Sequence, residues 1–107
     1  MDSVLVIGST NIDLVINLDH LPSPGETVGQ GKFFKAYGGK GANQAVAAAR
    51  SGTTTQFISA VGDDDDGRKV VSALQKERID TSFVKYSQAN ATGRALIMVD
   101  QKGENCI

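Results

Sequence analysis

The sequence has a single cysteine, Cys106, and only two prolines, Pro22 and Pro24, among its 107 residues. One thiol cannot form an intrachain disulfide, so the fold must be held by its core, and a reducing compartment such as the cytoplasm suits it. No apolar run approaches the roughly 20 residues that a membrane-spanning helix needs. The opening stretch from Met1 to Gly8 turns polar too soon for a signal peptide. Neither sign of charge is in excess: 11 Lys and Arg stand against 12 Asp and Glu, for a net charge of -1. Without a basic stripe, no nucleic acid or membrane surface is expected as a partner. The one histidine, His20, has no second histidine or cysteine at ligand spacing and is expected on the surface. Cys106 has no histidine placed by the sequence to activate it and is expected to be buried and inert. What remains, at 40% hydrophobic and 21% charged residues, is one small globular unit with a modest core.

Periodicity then divides the chain. Val4-Leu5-Val6-Ile7 is a continuous apolar run closed by Gly8, the pattern of a parallel strand buried on both faces. From Asn11 to Leu18 apolar and mostly polar residues alternate, which predicts a half-exposed strand. Pro22-Ser23-Pro24-Gly25 forces a turn, and Thr27 to Tyr37 reads as a further strand broken near Gly29 and Gly31. Ala42 to Ser51 is helical by composition, with Ala42, Ala45 and Ala49 forming a small-residue stripe. Gln56 to Val61 predicts a strand, Gly67 to Arg78 a helix, and Phe83 to Tyr86 a short strand. Thr92-Gly93 opens a last strand through Val99, and Gln101-Lys102-Gly103 reads as a hairpin turn. This order predicts an α/β fold with a parallel sheet and a separate small β-sheet. The chain stops at Ile107 inside the return strand, which suggests a fragment.

Two clusters bear on chemistry. In Gly38-Gly39-Lys40-Gly41-Ala42-Asn43, glycines precede a helix, so backbone can approach a ligand and free N–H groups can meet its oxygens. It is not a P-loop, because Gly41 follows Lys40 and Phe34 stands where a glycine is required. Nor is it a dinucleotide fingerprint, since Gln44 replaces the third glycine. A tight strand-to-helix turn without a ligand fits the spacing equally well. Asn11 and Asp13, two apart in an extended segment, share a face beyond the carboxyl end of the first strand. A carboxylate and an amide there can grip adjacent hydroxyls, or they can belong to a solvated strand face. The run Asp63 to Asp66 lacks the calcium-loop spacing and reads as a helix cap instead.

Together these residues resemble the ribokinase family of carbohydrate kinases. The resemblance is carried by Gly8-Ser9-Thr10-Asn11-Ile12-Asp13, Pro24-Gly25-Glu26-Thr27, the run from Gly38 to Ala49, Val61-Gly62-Asp63-Asp64, Ile79-Asp80-Thr81 and Thr92-Gly93. It implies a ribokinase-like α/β fold over 1–107, with core segments at about 4–8 and 38–86. Strands within about 11–37 and 92–107 would form a β-sheet lid. It implies that Asn11, Asp13, Gly39, Lys40 and Asn43 contact the hydroxyls of a sugar. It further implies ATP-dependent phosphorylation of D-ribose at its primary 5-hydroxyl. Another acceptor, such as 2-deoxyribose or a nucleoside, or a non-catalytic sugar-binding or dimerisation role, are the alternatives. By the same resemblance the catalytic base and the sites for ATP, Mg2+ and K+ lie beyond Ile107, and two copies pair through the lid as a homodimer.

Overall fold

The computed structural model describes residues 2–107. Seven strands and two helices follow in the order β1 (Ser3–Ile7), β2 (Asn11–Asn17), β3 (Lys32–Gly38), α1 (Lys40–Arg50), β4 (Thr54–Gly62), α2 (Asp65–Lys76), β5 (Ile79–Ser87), β6 (Gly93–Val99) and β7 (Asn105–Cys106). They form two compact units, one of Met1–Ile12 with Tyr37–Gly93 and one of Asp13–Ala36 with Arg94–Ile107.

The first unit carries a three-stranded parallel sheet in the order β1-β4-β5. Val6 pairs with Phe57 and Ser59 with Val84. Val6, Phe57 and Val84 are buried, together with Ala42 and Ala45 of α1 and Val70 and Leu74 of α2. The helices are neighbours: Arg50 at the end of α1 donates to both carboxylate oxygens of Glu77 beyond α2, Nε to Oε2 at 2.9 Å and Nη2 to Oε1 at 2.5 Å. Two parallel crossovers advancing in one direction across a sheet, each right-handed, put both helices on one face.

That arrangement corrects the expectation that β1 is buried on both faces. Only Val6 of the run is buried; Leu5 and Ile7 are 52% and 72% exposed. Ile7, Ile58 and Phe83 line up in register across the face opposite Val6 and Phe57, and neither α1 nor α2 covers that face of β1.

Local chemistry sets the helix ends. The acidic run does cap α2: Asp64 Oδ1 accepts from the Gly67 N–H at 2.7 Å, and Asp65 and Asp66 occupy the first turn. Helix α1 starts at Lys40, two residues before the predicted start, and ends at Arg50 with Gly52 at φ 93° just beyond. Strands β4 and β5 run longer than the apolar residues alone suggest, because the ladder continues through Thr54, Asp80 and Ser87.

The second unit is built on a four-stranded sheet, β3-β2-β6-β7. Strand β3 begins only at Lys32, since Gln30 turns to φ 60° and breaks the predicted longer strand. In β2 the buried residues are Ile12 and Val15 rather than a strict alternate set. β2 has a strand on each side, and the Gly31 backbone lies against the Ile16 and Leu18 side chains. The expected hairpin is present. Met98 pairs with Cys106 and Val99 with Asn105, and Asp100 N–H donates to the Glu104 carbonyl at 2.9 Å across the turn. Among the described residues Cys106 is exposed, not buried.

Candidate functional site

The chain leaves β1 through Gly8-Ser9-Thr10 and enters β2 at Asn11. That loop is pressed against the first turn of α1. The Ala42 N–H donates to the Ser9 carbonyl at 3.0 Å. A Cβ on Gly41 would stand 2.6 Å from the Gly8 Cα, and one on Gly39 2.6 Å from the Ser9 oxygen. Gly39 also holds φ 97°, a left-handed conformation that favours glycine. The glycine pattern in the sequence therefore has a steric cause: two backbones cross at a separation that leaves no room for side chains.

The crossing is tied down on the β4 side. Thr10, 6% exposed, shares a 2.7 Å hydrogen bond between its Oγ1 and the Ser59 Oγ. Asn11, the first residue of β2, is half-buried, and its Cβ lies 3.3 Å from where a Gly93 Cβ would be. Gly39 is half-buried, while Lys40 and Asn43 are exposed on the first turn of α1. Asn11, Gly39, Lys40 and Asn43 all belong to the first unit. Asp13 is half-buried two residues along β2, in the second unit. Along an extended strand, residues two apart point to the same side.

The two helix starts differ in kind. Helix α2 has an aspartate cap and two acidic residues in its first turn. Helix α1 has neither a side-chain cap nor an acidic residue there. The Ala42 N–H is taken by the Ser9 carbonyl and the Asn43 N–H by the Gly39 carbonyl. The backbone donors this start can offer a ligand are therefore those of Lys40 and Gly41. An oxygen-rich ligand at this corner would meet backbone donors, the Lys40 ammonium group and the Asn43 amide, a set fitted to hydroxyls or anions.

A separate groove of about 550 Å³ runs between α1 and α2, lined by residues including Tyr37, Asn43, Val46, Val70, Leu74 and the Arg50–Glu77 pair. Its Arg50 and Glu77 side chains neutralise one another, and it shares Ala42 and Asn43 with the glycine corner. Among the described residues, no group of three or more His, Cys, Asp or Glu side chains is disposed to hold a metal ion. No helix there is long and apolar enough to cross a membrane. His20 lies on the surface as expected, its Nε2 2.7 Å from Glu26 Oε2, and the Glu26 Oε1 accepts from the Ser23 N–H at 2.9 Å.

A parallel α/β layer, a small β-sheet unit and a glycine-built corner at a helix start define an α/β protein. The chain belongs to the pfkB family of carbohydrate kinases, whose profile matches residues 1–107. It is 44% identical over 105 residues to a ribokinase of Haemophilus influenzae, covering 98% of this chain and 34% of that one. Among solved structures it resembles ribokinase from Cryptococcus neoformans in complex with ADP, with TM-score 0.86 and 40% identity, over 99% of this chain and 33% of the other. It also resembles Arabidopsis thaliana ribokinase complexed with ribose and ATP, with TM-score 0.85 and 31% identity, over 97% and 34%. The chain thus spans about a third of the length of these relatives.

Proposed function

We propose that this chain supplies the acceptor-sugar side of a ribokinase-type active site, in an enzyme that phosphorylates D-ribose at its primary 5-hydroxyl with ATP. The observation that carries the reading is the glycine corner. Gly8, Gly39 and Gly41 bring the β1–β2 loop onto an uncapped helix start, beside Asn11, Lys40 and Asn43. In this reading Asp13 accepts from one or two sugar hydroxyls, and Asn11 and Asn43 donate or accept as each hydroxyl requires. The Lys40 ammonium group and the N–H groups of Lys40 and Gly41 then face the remaining oxygens. A pentose is a dense array of donors and acceptors, and a site built to pair them rejects analogues that lack one. The whole family of relatives named above supports the sugar-kinase class, and those bearing the name ribokinase support ribose within it.

No residue of this chain is assigned to the nucleotide, to Mg2+, to K+ or to the catalytic base. ATP would supply the transferred phosphoryl group, and the residues described here hold and orient the acceptor. Pairing of two copies through the four-stranded sheet, and a cytoplasmic location, belong to the same proposal.

The test is acceptor-dependent ATP consumption by the complete kinase that contains these residues, with ribose, 2-deoxyribose, fructose and adenosine compared at equal concentration. Ribose is expected to give the highest kcat/KM. A higher value with 2-deoxyribose would move the assignment to the deoxy sugar, and one confined to fructose or adenosine would overturn it.

A further inference from the structure

Thr92, just before β6, is 2% exposed and bonded on every polar atom that faces inward. Its hydroxyl donates to Asp64 Oδ1 at 2.6 Å and accepts from the Gly62 N–H at 2.9 Å. Its own N–H donates to Asp64 Oδ2 at 2.9 Å. Asp64 is also the α2 cap, so one carboxylate joins the end of β4, the start of α2 and the start of β6. The fit is steric as well as polar. A Cβ on Gly62 would run into the Thr92 nitrogen, and one on Gly67 would stand 2.9 Å from the Thr92 Oγ1. Thr92 therefore has no lateral freedom against β4 and α2.

The next residue, Gly93, opens β6 against the first residue of β2. A Cβ built on Gly93 would stand 3.3 Å from the Asn11 Cβ and 3.6 Å from the Thr10 carbonyl oxygen. Strands β2 and β6 are hydrogen-bonded partners. Thr92, held by Asp64, thus leads through Gly93 into the strand that is hydrogen-bonded to the one Asn11 opens.

We infer that Asp64 and Thr92 are positioning residues that set where Asn11 stands for the acceptor sugar. The inference rests on the sugar-contact reading of Asn11 proposed above. A charged cap alone would need only the Gly67 N–H. The second carboxylate oxygen is spent on the Thr92 backbone, 28 residues away in sequence, at the root of the strand that abuts Asn11. Displacing a substrate-gripping side chain by about an ångström can cost up to a hundredfold in rate even when the change lies outside the site.

The test uses the complete kinase and four variants. Asp64→Asn keeps the shape and a good helix cap but turns one acceptor into a donor. Thr92→Val removes the hydroxyl, and Thr92→Ser restores it. Asp64→Asn and Thr92→Val should raise KM for ribose about tenfold or more while KM for ATP stays within about twofold; Thr92→Ser should resemble the parent. The decisive readout is coupling. In an Asn11→Ala background, Asp64→Asn should raise the ribose KM no further, because its effect passes through the side chain already removed. Full additivity of the two changes, or Asp64→Asn and Thr92→Val variants that lose only thermal stability, would overturn the positioning role. If Asn11→Ala itself leaves the ribose KM unchanged, the sugar-contact reading of Asn11 fails, and the positioning role falls with it.

Discussion

Gly8 and Gly41 meet backbone to backbone: a Cβ on Gly8 would lie 2.8 Å from the Gly41 Cα, and a Cβ on Gly41 would lie 2.6 Å from the Gly8 Cα. No flexible side chain is available to give way on either side. Gly41→Ala should therefore destabilise the protein by about 1–3 kcal/mol through overpacking, and it should also separate the β1–β2 loop from α1. Urea unfolding checks the first effect, and the ribose KM of the complete kinase checks the second. A neutral Gly41→Ala would mean that the crossing is looser than the geometry requires.

The core makes a simpler prediction. Phe57 is fully buried in the central strand β4, in register with the edge residue Val6. Phe57→Ala should cost about 3–5 kcal/mol, read as a lower urea midpoint, because the sheet and two helices cannot collapse into the space.

The β2–β3 loop carries a titratable clip. The hydrogen bond and charge of Glu26, with a smaller contribution from Asp19, raise the His20 pKa above 6.5. The His20 partner, then the Ser23 N–H, hold Glu26 below 4.5. A raised histidine stabilises the fold below its unfolded value and loses that contribution as pH rises through its folded value. A lowered glutamate stabilises above its unfolded value and loses that contribution as pH falls through its folded one. The clip is therefore at full strength between about pH 4.5 and 6.5 and weakens above. A proton NMR titration of the His20 ring should give a midpoint above 6.5, and Glu26→Gln should bring it down. A midpoint at or below 6.5 in the unmodified protein would show that the pair does not persist in solution.

Much of the fold is legible in the residues, and the exceptions share a cause. The order of elements along the chain, both helices, the capping role of the Asp63–Asp66 run and the hairpin at Gln101–Gly103 follow from local signals: apolar runs, an alanine stripe, carboxylates before a helix, a glycine at a turn. Burial does not follow from the same signals. Val4-Leu5-Val6-Ile7 has the composition of a two-sided strand, yet helix coverage is decided by the hand and direction of two crossovers. Cys106 resembles a core residue by type and is exposed among the described residues. At the candidate site, Gly39 and Asn43 stand out by pattern. The contact of Gly8 with Gly41 spans 33 positions, and the Asp64–Thr92 bond spans 28, so no local spacing rule could find them.

The central claim is that these residues grip the acceptor sugar, and Asp13→Ala in the complete kinase tests it most directly. Asp13 would be the one carboxylate among the sugar contacts, so its removal leaves bound hydroxyls without a charged acceptor. The expected loss is about 2–4 kcal/mol, a fall of roughly 30- to 900-fold in kcat/KM for ribose. KM for ATP should change by less than about twofold, because uniform loss of nucleotide binding would report a folding defect instead. Steady-state kinetics with each substrate varied in turn gives both numbers from one preparation. A large loss confined to ribose is the result predicted here; an unchanged kcat/KM for ribose would contradict it and leave Asp13 as an ordinary strand residue.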